Sequence, residues 1–103
     1  MSRVVFEGKL LGETVTETFD FTSRLGATET ISTAVVTASV YSGTDASPSA
    51  IISGSPTISG KKVTQKVTAG TLGVTYELLC TVSTSLGQTL QLSGFLVIIN
   101  DLS

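Results

Sequence analysis

Apolar and polar residues alternate with period two along most of this chain. Between Val15 and Phe21, the residues Val15, Phe19 and Phe21 share one face, while Thr14, Thr16, Thr18 and Asp20 share the other. Glu17 interrupts the apolar side, which suits a strand that meets a sheet edge. Further along, Ala34, Val36, Ala38 and Val40 alternate with Val35, Thr37, Ser39 and Tyr41. Val63 and Val67 alternate with Lys62, Thr64 and Lys66, and Tyr76, Leu78, Cys80 and Val82 alternate with Glu77, Leu79, Thr81 and Ser83. Finally Leu90, Leu92, Leu96 and Ile98 alternate with Gln91, Ser93, Phe95, Val97 and Ile99. Successive side chains of a strand point to opposite faces, so these runs predict half-buried strands. No segment carries helical periodicity over a useful length.

Turn signals punctuate the runs at Leu25-Gly26-Ala27, Ser42-Gly43-Thr44-Asp45, Ser53-Gly54-Ser55-Pro56, Ser59-Gly60, Ala69–Gly73 and Leu86-Gly87-Gln88. Short strands separated by turns about every ten residues predict a sandwich or a barrel. The stretch from Ser42 to Pro56 is the least regular and reads as a loop, with Ala50-Ile51-Ile52 as a short edge strand inside it. The 103 residues suit a single domain, residues 1–103, with one core.

Composition supports strands. Ser and Thr supply 31 residues and only 14% are charged, so hydroxyls replace charge as the solvent-facing partner of apolar positions. Thr is β-branched and suits a pleated, half-buried surface. The net charge of −2 and six scattered basic residues argue against nucleic acid, which demands clustered cations. Lys61, Lys62 and Lys66 form the one cluster and read as the solvated face of a strand. The opening residues turn charged at Glu7 and Lys9 before an apolar region develops, so no signal peptide is expected. The longest apolar run, Phe95 to Ile99, is far short of a bilayer span, so no membrane is expected.

Candidate chemistry is sparse. With no histidine and a single cysteine, neither a Ser-His-Asp nor a Cys-His arrangement nor a usual zinc site can be built. The eight carboxylates are Glu7, Glu13, Glu17, Asp20, Glu29, Asp45, Glu77 and Asp101. None stands in a paired or calcium-loop pattern. Cys80 alternates onto an apolar face and reads as a small buried hydrophobe. The expectation is a non-enzymatic protein without cofactor or metal.

Two local features carry structural meaning. Gly73-Val74-Thr75-Tyr76 enters a late strand in the manner of the tyrosine corner of immunoglobulin-like sandwiches, where the hydroxyl bonds back to nearby backbone. Gly73 and Tyr76 are therefore the candidate corner residues. Leu78 stands where antibody domains carry a cysteine, so their disulfide is absent. The fold class expected is all-β, an immunoglobulin-like antiparallel β-sandwich of about seven strands. The second feature is the final run Phe95-Leu96-Val97-Ile98-Ile99, apolar on both faces. Either this strand is covered on both sides, or its outward face meets another chain. A sandwich this small favours the partner, which makes Leu79, Phe95, Val97 and Ile99 the candidate protein interface.

Several segments together resemble the small immunoglobulin-like fibre–tail adaptor proteins of bacteriophages. They are Phe6-Glu7-Gly8-Lys9, Gly12-Glu13, Phe19-Asp20-Phe21-Thr22-Ser23-Arg24-Leu25, Glu29-Thr30-Ile31, Val67 through Leu78, and Cys80 through Gly87. Ala27-Thr28-Glu29, where relatives tend to carry Gly before the Glu, and the lack of tryptophan after the Asp depart from the pattern. The resemblance implies an oligomeric virion structural protein at the neck or tail, joined to portal, tail or fibre components and to itself. It would be assembled in the host bacterial cytoplasm. A capsid decoration or cement protein would share these properties. A carbohydrate-binding module is a more distant alternative, because sugar stacking uses exposed aromatics and Tyr41 alone projects onto a polar strand face.

Overall fold

The alternating runs become the long strands of two sheets. The computed structural model describes residues 2–5, as backbone, and residues 8–99. Its strands are β1 (Ser2–Val5), β2 (Lys9–Leu10), β3 (Val15–Asp20), β4 (Ile31–Ser42), β5 (Ile52–Ser59), β6 (Lys62–Val67), β7 (Thr75–Thr84) and β8 (Thr89–Ile99). Short 3₁₀ turns at Thr22–Arg24 and Pro48–Ile51 are the helical elements among the described residues. One sheet has the order β1-β8-β7-β4, with β2 also paired to β8, and the other has the order β3-β6-β5. Phe6, Glu7 and Asp101 lie outside the described residues.

The pairing corrects the expectation of a wholly antiparallel fold of about seven strands. β1 and β2 run parallel to β8, while the remaining pairs are antiparallel. A parallel pair needs a long connection between its members. Here the connection is the body of the protein, which lies between the first strands and the last. These two short strands, too brief to show alternation, bring the described strands to eight.

The loop reading of Ser42 to Pro56 is also corrected. Pro48–Ile51 forms a 3₁₀ turn that buries Ile51, and Ser53-Gly54-Ser55-Pro56 lies within β5 rather than in a turn. β5 tolerates this sequence because it is an edge strand with a register shift between Ser53 and Thr57, and Gly54 takes φ +74° there. Proline, which cannot donate to a ladder, is accommodated at such irregular edges.

The buried apolar residues form one cluster between the sheets. Phe19, Val63 and Val67 from one sheet face Val36, Tyr76, Leu78, Cys80, Val82, Leu96 and Ile98 from the other. Each large aliphatic member contributes about 1.5–3 kcal/mol on full burial. Glu17, on the apolar side of its strand, stands opposite Gln65 on β6, and β3 is indeed a sheet edge.

Candidate functional site

Residues directly opposite in an antiparallel pair point to the same face of the sheet. Tyr76, Leu78, Cys80 and Val82 point into the core, so their neighbours on β7 point out. Leu79 stands opposite Ser93, Glu77 opposite Phe95 and Thr75 opposite Val97. On the other side of β7, Leu79 meets Thr37 and Glu77 meets Ser39. The sheet therefore places Leu79, Phe95 and Val97 on its outer face. Ile99 continues that row past the end of β7 and is 40% exposed. Leu79, Phe95 and Val97 are half-buried, so the apolar surface is less open than the sequence suggested.

Local contacts explain the difference. Tyr41 is the extra residue where the β4–β7 register shifts between Val40 and Ser42. Its ring crosses β7 to lie 4.5 Å from the Phe95 ring, tilted by 43°. The backbone before β2 runs beside the other end of the row: a Cβ on Gly8 would stand 3.0 Å from Ile99 Cδ1 and 3.4 Å from Val97 Cγ1. The row thus splits. Phe95, Val97, Ile99 and Tyr41 form an apolar strip, and Leu79 stands between Thr37 and Ser93. Tyr41, read from the sequence only as a lone aromatic on a polar face, belongs to this strip because of a bulge that alternation cannot show.

The two ends of the molecule are tied by buried polar groups. At one end the Tyr76 hydroxyl accepts from the Thr71 N–H at 2.8 Å and donates to Asp45 Oδ2 at 2.5 Å. Gly73, at φ +82°, donates its N–H to the Ile98 carbonyl at 3.0 Å. The Tyr76 hydroxyl and the Ser47 N–H hold the Asp45 carboxyl below its ordinary range, while burial and then Asp45 raise the Tyr76 hydroxyl. Lys9, also at this end, is only 1% exposed. Its ammonium donates to the carbonyls of Ala69, Leu10 and Leu11 at 2.8, 3.0 and 3.1 Å. Burial lowers its pKa, with Glu13 acting in the opposite sense.

At the other end Glu29 is 3% exposed and accepts from the Gly26 N–H at 3.0 Å and the Thr84 hydroxyl at 2.5 Å. Those bonds hold its carboxyl below the ordinary range. Thr84 Oγ1 in turn accepts from the Gln88 N–H at 3.1 Å. Neither Lys9 nor Glu29 was legible as a buried charge, since no pattern marks the carbonyls and hydroxyls that receive them.

Among the described residues no group of three or more His, Cys, Asp or Glu is placed to hold a metal. No helix among them is long and apolar enough to cross a membrane. Cys80 is fully buried, and that burial pushes its thiol up to about 12, away from the nucleophilic thiolate. A shallow depression over β5 is lined by Thr16, Ser53, Ser55, Thr57, Thr64 and Lys66, without an aromatic side chain.

A family model described as podophage GP4 fiber-tail adaptor protein gp77 matches residues 9–97. No curated protein and no solved structure matches the chain.

Proposed function

We propose a function from one premise: the chain belongs to the podophage GP4 fiber-tail adaptor protein gp77 family, whose model spans its residues 9–97. The chain is thus a structural protein of a phage tail, not one selected for catalysis. Its role is to join tail and fibre components, in several copies, without nucleic acid or cofactor. Assembly takes place in the host cytoplasm, where the free Cys80 suits reducing conditions.

The immunoglobulin-like reading rests on strand order. The sequence β3-β6-β5 in one sheet and β8-β7-β4 in the other has the same order as the B-E-D and G-F-C strands of that sandwich. The chain is then one domain over residues 1–103. Tyr76, with its hydroxyl on the Thr71 N–H five residues back, fills the corner role, and Gly73 shapes the turn that leads to it.

The observation that supports a contact surface is the strip of Phe95, Val97 and Ile99 with Tyr41, apolar on the side of the sheet away from the core. Leu79 stands at its margin. A virion partner docks on this strip and takes its partly exposed apolar surface out of water. Cryo-electron microscopy of the purified virion tests the reading. Density for this fold between tail and fibres is the expected result. Density on the capsid lattice alone would overturn it in favour of a decoration protein.

A further inference from the structure

Edge strands present unpaired amides and carbonyls, and proteins defend them with charge, proline, bulges or short length. Most edges here are defended. β3 carries Glu17 and Asp20, β5 carries Pro56 and a register shift, and β1 and β2 are only four and two residues long. β4 is different. Its sequence, Ile-Ser-Thr-Ala-Val-Val-Thr-Ala-Ser-Val-Tyr-Ser, has no charge and no proline over 12 residues. Among the described residues it pairs with β7 alone, and its register shifts fall near its two ends, leaving Thr33 to Val40 regular. Alternate residues of that stretch turn their amide and carbonyl away from β7.

The same stretch is self-complementary. Folded back on a second copy of itself about Val36, it sets Thr33 against Ser39, Ala34 against Ala38, Val35 against Thr37 and Val36 against Val36. Hydroxyl meets hydroxyl, small meets small, and β-branched meets β-branched. Val35 is 58% exposed, and Thr33, Thr37 and Ser39 beside it on the outer face are exposed too. On the inner side Ala34 and Ala38 are only half covered by the core. β5 and the Pro48–Ile51 turn lie close to β4 without pairing with it, so its outward amides and carbonyls remain open to a further strand.

We propose that β4 is the self-association edge of this protein, pairing antiparallel with β4 of a second copy about a twofold axis at Val36, so that two sheets become one. This goes beyond the adaptor reading and uses a different surface from the Phe95–Val97–Ile99 strip. A twofold contact repeats every pair, so one substitution acts twice.

The test uses the pairing of position 35 with position 37 of the other copy. Val35→Lys with Thr37→Lys opposes like charges at both symmetric places and should weaken the dimer about tenfold or more by sedimentation. Val35→Lys with Thr37→Glu opposes unlike charges and should restore dimerisation, which a merely structural effect would not do. Wild-type amides between Thr33 and Val40 should also gain hydrogen-exchange protection as protein concentration rises, a measurement that decides the matter should a variant fail to fold. Wild-type protein that stays monomeric, or two variants that dimerise equally well, would overturn the proposal. Val97→Lys leaves this edge untouched, so loss of virion docking and loss of the edge contact are told apart.

Discussion

The Thr84 hydroxyl donates to Glu29 Oε2 at 2.5 Å, joining residues that lie 55 positions apart in the chain. Through this bond the segment leading into β4 and the last residue of β7 are held as one unit. The carboxylate also caps the Gly26 N–H, and the hydroxyl also receives the Gln88 N–H. Thr84→Val removes a donor and an acceptor together and leaves Glu29 short of a partner. The melting temperature should fall clearly, whereas Thr84→Ser should melt close to the wild type.

Acid stability follows from the same carboxylates. The folded-state pKa of Glu29 lies below its ordinary 4.5 and that of Asp45 below its ordinary 3.8. For a depressed carboxyl the unfolded chain binds the proton first, so its stabilisation is present above the unfolded value and is lost as pH falls through the folded one. Unfolding free energy should therefore decline as pH drops below about 4.5. Glu29→Gln should flatten the part of that decline nearest 4.5, and a urea titration series read at each pH would show it.

Tyr76→Phe keeps the ring in the core and removes the hydroxyl shared by the Thr71 N–H and Asp45. The expected loss is about 1–2 kcal/mol by urea titration. A change within the error of that titration would show that the corner bond contributes nothing net.

Gly70 stands at φ +101°, and a Cβ there would fall 2.8 Å from both Cδ1 and Cγ1 of Ile98. Gly70→Ala should destabilise by about 1–3 kcal/mol, through overpacking and an unfavourable backbone region. Gly12→Ala, where nothing lies within 4 Å, should be close to neutral in the same thermal melt.

Val97→Lys should lower the melting temperature only slightly, because the side chain points away from the core and is half-buried, so the long lysine can reach water. The same variant should fail to enter virions. If it unfolds the monomer, the outer strip is part of the fold rather than a docking surface.

Much of the fold was legible because a period of two survives wherever one face is buried and the other wet. β3, β4, β6, β7 and β8 follow their alternating runs, and Cys80 takes its place in the core. What escaped is what alternation does not encode. β2 is too short for a pattern, and its Lys9 looks solvent-facing until three carbonyls surround it. β5 was hidden by Gly54 and Pro56, which usually mark a turn and here mark a bulged edge. Asp45 gave no sign of reaching Tyr76, because a contact 31 residues distant leaves no local trace. The outer row of Leu79, Phe95, Val97 and Ile99 followed from strand parity, but the Tyr41 bulge and the Gly8 backbone that narrow it did not.

The parallel alignment of β1 and β2 with β8 has a mechanical consequence. Ser2 pairs beside Leu92 and Leu10 beside Ile99, so the first strands and the last advance together along the molecule. A load drawn outward from the Ser2 end of β1 and the Ile99 end of β8 slides these strands lengthwise past one another. The hydrogen bonds along β8 then bear the force together, instead of opening one after another like the teeth of a zipper. Lys9 separately ties β2 to the loop before β7 through the Ala69 carbonyl.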